Sequence, residues 1–339
     1  MTHHFCTYFD MNYWPRAQSL LDSLERHCPS FMIHMLCMDD ACFKKVKTLD
    51  RSHVVPMRLS ELEEAQPALP RVKEARSLLE YYFTCGPAFI RHVMDRHPNV
   101  EVITYLDADL YFFHDPEPLF EAFQGHSIGV TAHHLPHLGK RRIFTAHHLS
   151  AFRKRRLQEG KYNVGWINFR RDADGVACLE WWRDRCIEWC YDRHEDGKYA
   201  DQLYLDQWPV LFKGFYEFTH HGANVGMWNV GDYRFSFRNE IVYVDDDPLI
   251  FYHFHGFKKV APFIYNADTS LSLKAPSPVL KRHVFSEYIN KLEQYAEKQD
   301  TTASIRQYRP SWHIIKSIIR HTLGLIFRQY VLYYKGRVI

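Results

Sequence analysis

The sequence predicts an α/β fold, and three observations carry that prediction. Short β-rich runs at 3–9, 31–38 and 53–57 alternate with helical patterns, the signature of βα units on a parallel sheet. The apolar run Val100–Leu106 is the strongest strand in the chain and ends in Asp107-Ala-Asp109. The 339 residues are 46% hydrophobic and 24% charged, an ordinary globular composition, and a chain this long buries a core without disulfide or metal staples.

Taken in order, residues 3–9 read as a strand closed by Asp10. A helix follows, with Pro15 near its start and Leu20, Leu21 and Leu24 on one face. Phe31–Met38 is a second strand closed by Asp39-Asp40, residues 41–50 a second helix, and His53–Met57 a third strand. This βαβα order predicts a parallel, doubly wound sheet with helices on both faces. Residues 74–94 read as a helix interrupted at Gly86-Pro87, because proline removes a helical N–H. The Val100–Leu106 strand is expected to continue into Leu110–Phe113 and to turn at His114-Asp-Pro116. Residues 133–160 have little periodicity and read as a mobile surface segment. Residues 176–194 form an amphipathic helix rich in aromatics, and Ile241–Val244 and Leu249–Phe254 read as strands. Pro276 and Pro278 mark a boundary before a helix at 279–298. The expected organisation is a body at 1–265, a helical extension at 266–300 and a basic amphipathic tail at 301–339.

Charge narrows the function classes. Lys+Arg 43 against Asp+Glu 40 gives +3, too balanced for a dedicated nucleic-acid binder. Seven of the basic residues and none of the acids fall in 301–339, leaving the first 300 residues at −4. Eight scattered cysteines, with no C-x-x-C pair, suit a reduced, cytoplasmic chain. Cys186, Cys190 and His194 lie at helical spacing and could form a metal face. Buried thiols beside Trp182 and Trp189 are the expected reading. No basic n-region followed by an apolar h-region opens the sequence, and no stretch reaches the roughly 18 apolar residues of a spanning helix.

Two common nucleotide devices are missing: there is no G-x-G-x-x-G, and no Gly-Lys pair followed by Ser or Thr. Asp107-x-Asp109 offers another route to a nucleotide. Carboxylates just beyond a buried strand sit at the sheet edge where open α/β folds bind ligands. Hard oxygens there suit Mg²⁺ or Mn²⁺, which can neutralise a diphosphate leaving group. The competing readings are a solvated turn and a phosphatase aspartate, the latter weakened because the fifth position of its D-x-D-x-T pattern is Tyr111. His253-Phe-His255-Gly256-Phe-Lys258-Lys259 follows another apolar strand. It combines an imidazole ligand, a glycine for close phosphate approach and positive charge. In a chain with 22 histidines the competing reading is a surface loop.

D-x-D after a strand followed by H-x-x-G-x-x-K resembles glycosyltransferase family 8, which includes glycogenin-like and bacterial lipopolysaccharide sugar transferases. Asp10-Met-Asn12-Tyr13 is similar to the family's D-x-N-Y element, Tyr162-Asn163-Val-Gly165 to its central segment, and Ala200-Asp201-Gln202 to its D-Q motif. The five pieces occur in family order across residues 3–265. The resemblance implies a Rossmann-like GT-A fold that binds a nucleotide-diphospho-sugar, usually a UDP-sugar, with Mn²⁺ (or Mg²⁺), and transfers the sugar with retention to a glycan or lipid-linked acceptor. By position it implies Asp107, Asp109 and His253 as metal ligands. Tyr8, Asp10, Asn12 and Tyr13 would hold the nucleoside, Asp107, Gly256 and Lys259 the diphosphate, and Asn163, Asp201 and Gln202 the sugar. The family's Y-x-R arginine is replaced by Tyr82-Phe83-Thr84, with Arg76 and Arg91 as nearby substitutes, and Val260-Ala261 stands where the family has Pro-Trp. These departures suggest a divergent branch, or a protein that binds nucleotide-sugar without turning it over.

Read as residues alone, Asp201 could equally be a first-turn helix acid and Asn163 a turn residue. In the tail, 312–330 places Ile315, Ile318, Ile319, Leu325 and Ile326 broadly on one side with Lys316, Arg320 and Arg328 flanking. Trp312, Tyr330, Tyr333 and Tyr334 lie near the ends. A basic amphipathic helix with aromatic ends predicts attachment of 305–339 to an anionic membrane face, the alternative being a helix packed on the body.

Overall fold

The computed structural model describes residues 2–134, 159–267, 276–296, 330–334 and 336–338. The chain divides into two compact units. One comprises Met1–Trp14, Glu25–Ala108 and Asp115–His220, and the other Pro15–Leu24, Asp109–His114 and His221–Ile339. The crossing between Ala108 and Asp109 cuts the D-x-D motif, so its two carboxylates belong to different units.

The chain opens β1 (His3–Phe9), α1 (Trp14–His27), β2 (Phe31–Cys37), α2 (Asp40–Lys47) and β3 (Val54–Arg58). It continues α3 (Leu59–Ala65), α4 (Ala68–Lys73), α5 (Leu78–Arg96), β4 (Val102–Leu106), β5 (Leu110–Phe112), α6 (Glu117–Ala122), β6 (Ile128–Ala132) and β7 (Tyr162–Arg170). In the first unit, β8 (Phe215–Phe218) completes a seven-stranded sheet of order β3-β2-β1-β4-β7-β6-β8. The apolar runs become strands because both faces of this sheet are covered, and Ile33, Met35, Ile103 and Ile167 are fully buried. Local signals fix the helix starts: Asp39 caps α2 through the Cys42 N–H, and Ser77 and Glu80 form a reciprocal capping box at α5.

Four expectations need correction. The sheet is parallel-rich rather than all-parallel: β3, β2, β1 and β4 run parallel, but β7 is antiparallel to both β4 and β6. Eight of the nine residues of β7 are buried, and an apolar run covered on both faces looks the same in sequence whichever way its partners run. Helix α5 passes unbroken through Gly86-Pro87. Both residues are buried there, and a Cβ on Gly86 would lie 3.1 Å from the Tyr8 ring, so packing overrides the helix-breaking preference. Leu110–Phe112 does not extend β4 but joins a separate sheet in the second unit. The fourth correction concerns the chain's end, below. The aromatic-rich helix spans Ala173–Glu188 and sits so close to β7 that a Cβ on Gly175 would lie 2.2 Å from the Arg170 carbonyl oxygen.

The second unit contains a three-stranded sheet in which Phe251–His253 is central, antiparallel to β5 and parallel to β9 (Val225–Gly226). Strands Phe235–Arg238, Ile241–Val244 and Asp247–Pro248 form another antiparallel sheet. The segment 279–298 reads helical and is so, as a π-helical turn Leu280–Phe285 followed by Ser286–Ala296. Its buried face, with Val284, Phe285, Tyr288 and Ile289, packs with Phe254 and Phe257. Tyr330–Tyr334, expected near the end of an amphipathic helix, forms a strand against Ile264–Asn266. Alternation explains the difference, since Val331 is buried while Leu332 is exposed. The proposed tail helix 312–330 and the 133–160 segment otherwise lie almost wholly outside the described residues. All eight cysteines are buried and unpaired in disulfides, including Cys186 and Cys190. Among the described residues no helix is long and apolar enough to cross a membrane.

Candidate functional site

In the first unit the ends of β1 and β4 and the loop before the 3-10 turn Leu203–Gln207 position the candidate polar residues. Asp107 follows β4, and its N–H donates to the Gly165 carbonyl of the neighbouring strand at 3.1 Å, fixing the backbone. The Tyr105 hydroxyl donates to Asp107 Oδ1 at 2.8 Å, and the Tyr8 and Tyr105 rings lie 5.6 Å apart. Asp10 accepts from the N–H groups of Asn12 and Tyr13 and from Asn12 Nδ2, so D-x-N-Y folds as a turn organised by its own aspartate. Asp39 accepts from Met11 N–H at 2.8 Å, tying that turn to the end of β2.

Asp201 is buried, with 5% of its surface exposed. Burial first, and the negative charge of Asp107 second, push its carboxyl up to about 8 against the opposing bond from its own backbone. Ala200 just before it adopts φ +46°, a left-handed backbone that costs a non-glycine residue energy and is concentrated at functional sites. Asn163 is likewise buried: its Nδ2 donates to His133 Nε2 at 3.2 Å and to Gln202 Oε1 at 3.3 Å, and its Oδ1 accepts from Gly165 N–H. Gln202 in turn donates to the Glu159 carbonyl. The structure thus brings Asn163 and Gln202 into one network.

In the second unit the register of two strands assembles a second cluster. Leu110 pairs with His253, and the Phe254 N–H donates to the Asp109 carbonyl at 2.9 Å, so Asp109 and His253 are neighbours by construction. Asp109 Oδ1 stands 3.2 Å from His253 Nε2, with side-chain exposures of 8% and 2%. Burial alone would raise the Asp109 carboxyl. The charge and hydrogen bond of His253, with the charges of His255 and Arg16, outweigh it and hold the carboxyl at about 2. The Asn224 side-chain oxygen accepts from His253 Nδ1 at 3.2 Å, which fixes the ring orientation with Nε2 toward Asp109. Asp109, His253 and His255 each offer one ligand atom, all within 4.8 Å of one another, a grouping able to hold a metal ion.

Other candidates are engaged differently. Lys259 is exposed and ion-paired to Glu293 at 2.8 Å, and Gly256 turns the chain at φ +69°. Arg76 donates to the Thr84 hydroxyl and the Ile187 carbonyl, while Arg91 pairs with Asp95 at 2.9 Å and Glu180 at 3.3 Å. Both arginines are thereby committed to structural partners. Arg16, not singled out from sequence, donates to the Phe257 carbonyl at 2.8 Å, inside the H-x-x-G-x-x-K loop. His255 and Tyr105 were also missed. The readable signal for His255 was the H-x-H spacing, and the turn after the strand Phe251–His253 brings its ring to 5.9 Å from that of His253.

No protein-family model matches the chain. It is 35% identical over 264 residues to "Uncharacterized protein YfnF" of Bacillus subtilis (strain 168), covering 77% of this chain and 84% of that protein. It is 28% identical over 299 residues to "Uncharacterized protein YfnD" of the same organism, covering 88% and 91%. Among solved structures it is similar to mouse Xyloside xylosyltransferase 1 in its apo form, with a TM-score of 0.47 and 16% identity over 76% of this chain and 98% of that one.

Proposed function

The chain belongs to the family of YfnF of Bacillus subtilis (strain 168), and we propose that it is a metal-dependent glycosyltransferase moving a sugar from a nucleotide-diphospho-sugar, a UDP-sugar in the first instance, to a glycan or lipid-linked acceptor. The observation that carries this reading is the Asp109–His253–His255 cluster built onto the strand following a D-x-D motif. A dication held there would supply charge neutralisation for a departing nucleoside diphosphate.

The chain's own residues account for the remaining work. Asp107, the first carboxylate of the motif, is held by the Tyr105 hydroxyl. The Asp10 turn, with Tyr8, Asn12 and Tyr13, takes the nucleoside. Gly256 lets the backbone approach the diphosphate, and Arg16 and Lys259 add positive charge beside it. Asn163, Asp201 and Gln202 take the sugar. On a retaining front-face route the bond from the anomeric carbon to the phosphate oxygen breaks and one to the acceptor oxygen forms. The acceptor proton passes to the leaving phosphate, so no side-chain base is required.

The test is thermal stability of the full chain with Mn²⁺ across UDP, GDP, CDP and TDP. A ligand of the native state at about 100 times its Kd stabilises by about 2.7 kcal/mol. A shift with UDP that needs the metal is expected, followed by release of sugar from the matching donor. No shift with any nucleotide overturns the reading. Phosphate release from simple esters without a nucleotide would favour a phosphatase instead.

We further propose that 305–339 attaches the protein to the inner membrane face. The described part of this segment leaves Leu332 52% and Tyr334 49% exposed beside Phe263, 59% exposed. Exchanging Lys316, Arg320 and Arg328, none of them in the Tyr330–Tyr334 strand, for glutamate is expected to abolish co-sedimentation with phosphatidylglycerol-containing vesicles. Unchanged co-sedimentation would count against attachment.

A further inference from the structure

We propose that His255 is a protein ligand of the metal centre and that its imidazole, beside that of His253, makes the centre prefer a transition-metal dication to Mg²⁺. The inference rests on reading this cluster as the transferase's metal centre. It concerns the selectivity of that centre, which the motifs do not specify.

Chain geometry is the first support. His253 ends the strand Phe251–His253, and the turn that follows brings the His255 ring within 5.9 Å of the His253 ring, with one ligand atom from each of Asp109, His253 and His255 inside 4.8 Å. The residue between the two histidines is anchored in the core. Phe254 is buried and stacks on Tyr288 with ring centroids 3.6 Å apart, which fixes the backbone from which both imidazoles project.

The second support is the wall behind the imidazoles. The Trp228 indole stands edge-on to His253 at 5.1 Å and approaches His255 at 6.4 Å. It can do so because position 226 is glycine: a Cβ there would lie 2.5 Å from the Trp228 ring. Asn224, which orients His253, holds a left-handed backbone at φ +55°. Such outer partners set the orientation and basicity of a metal-bound imidazole.

Ligand chemistry then gives the selectivity. Mg²⁺ takes oxygen ligands and keeps several waters, whereas neutral imidazole favours later divalent metals. A face of two imidazoles and one carboxylate therefore discriminates against Mg²⁺, and a face with one imidazole does so less. His255 is exposed, so replacing it tests ligation with the buried core left in place.

The experiment is calorimetric titration of the full chain, without nucleotide or sugar, with Mn²⁺, Co²⁺ and Mg²⁺, on wild type and His255→Gln. Expected is wild-type binding of Mn²⁺ and Co²⁺ at least about 30-fold tighter than Mg²⁺. In the variant the Mn²⁺ and Co²⁺ affinities fall by about tenfold or more, and Mg²⁺ affinity changes by less than about threefold. Pulsed EPR of bound Mn²⁺ should count two imidazole nitrogens in the wild type and one in the variant. An unchanged Mn²⁺/Mg²⁺ ratio in His255→Gln, or equal loss of all three metals, overturns the proposal. Because no nucleotide is present, selective metal binding stands even if the nucleotide melting test fails, which would remove only the transferase reading.

Discussion

Replacing Asp109 with alanine is expected to abolish transfer, by at least about 10³-fold in kcat/KM, while the variant remains folded. A loss of that size corresponds to about 4 kcal/mol of transition-state stabilisation, within the several kcal/mol that a Lewis-acid dication contributes at a leaving group. The expectation follows from position: Asp109 is the buried carboxylate that meets His253 Nε2 at 3.2 Å. Its carboxyl, held at about 2, stays ionised and ready to bind a cation throughout the neutral range. Folding should survive because Asp109's backbone bond to Phe254 and the Phe254–Tyr288 stack do not involve the Asp109 side chain. The depressed carboxyl also sets a pH signature. A carboxyl ionised more readily in the folded than in the unfolded state stabilises the fold above the unfolded value near 4, and that contribution disappears as pH falls toward 2. The metal-free variant should therefore melt below wild type at pH 7 and converge with it near pH 2. The measurements are circular dichroism, the Mn²⁺-induced melting shift and turnover with the donor identified above. Turnover within tenfold of wild type would sink the metal assignment.

How much of this was readable beforehand depended on the range of the interactions involved. Strands β1 and β2 and helix α1 are written locally, as apolar runs and as Leu20, Leu21 and Leu24 on one helix face, all three fully buried. The direction of β7 was not, because strand polarity is decided by partners some sixty residues away at Val102–Leu106 and a doubly buried strand has the same composition either way. The unbroken helix at Gly86-Pro87 was hidden for a related reason: both residues are buried in tertiary packing, Gly86 against the Tyr8 ring, which no local propensity contains. The neighbourhood of Asp109 and His253 could be anticipated from motif order, and strand register supplies the contact. The three polar residues missed each need a fold-level fact. Tyr105 reaches Asp107 because both lie at the end of β4, Arg16 reaches the Phe257 carbonyl across 241 positions, and His255 depends on where the strand Phe251–His253 ends. Asp201 lies before the cap residue Gln202 of the turn Leu203–Gln207 and so outside its first turn.

That leaves Asp201 as a buried acid which the fold tolerates rather than uses, and Asp201→Asn is expected to stabilise the protein while removing most of its activity. The sign follows from linkage. The carboxyl is raised to about 8 in the folded state by burial and by Asp107, above an unfolded value of 3.8. Between these values the native state binds more protons than the unfolded chain, so stability falls as pH rises, by about 1.4 kcal/mol per unit for a fully shifted group. Asparagine has the same shape and no charge to desolvate. At pH 4 the variant and wild type should melt together; by pH 7 the variant should be ahead by up to about 4 kcal/mol, and above pH 8 the gap should stop growing. For a chain of this length that is on the order of 5 °C in Tm. Were Asp201 a first-turn helix acid, removing its charge would cost roughly 0.3–1 kcal/mol instead, so the direction of the shift alone separates the two roles. Activity supplies the other half: a residue beside a developing oxocarbenium centre loses its electrostatic effect as an amide, and a fall in kcat of about 10²-fold or more is expected with little change in nucleotide affinity. A melting point that rises with unchanged turnover would make Asp201 a burial cost without a catalytic return. A melting point that falls at pH 8 would mean that the carboxylate is held there by a bond worth more than its desolvation.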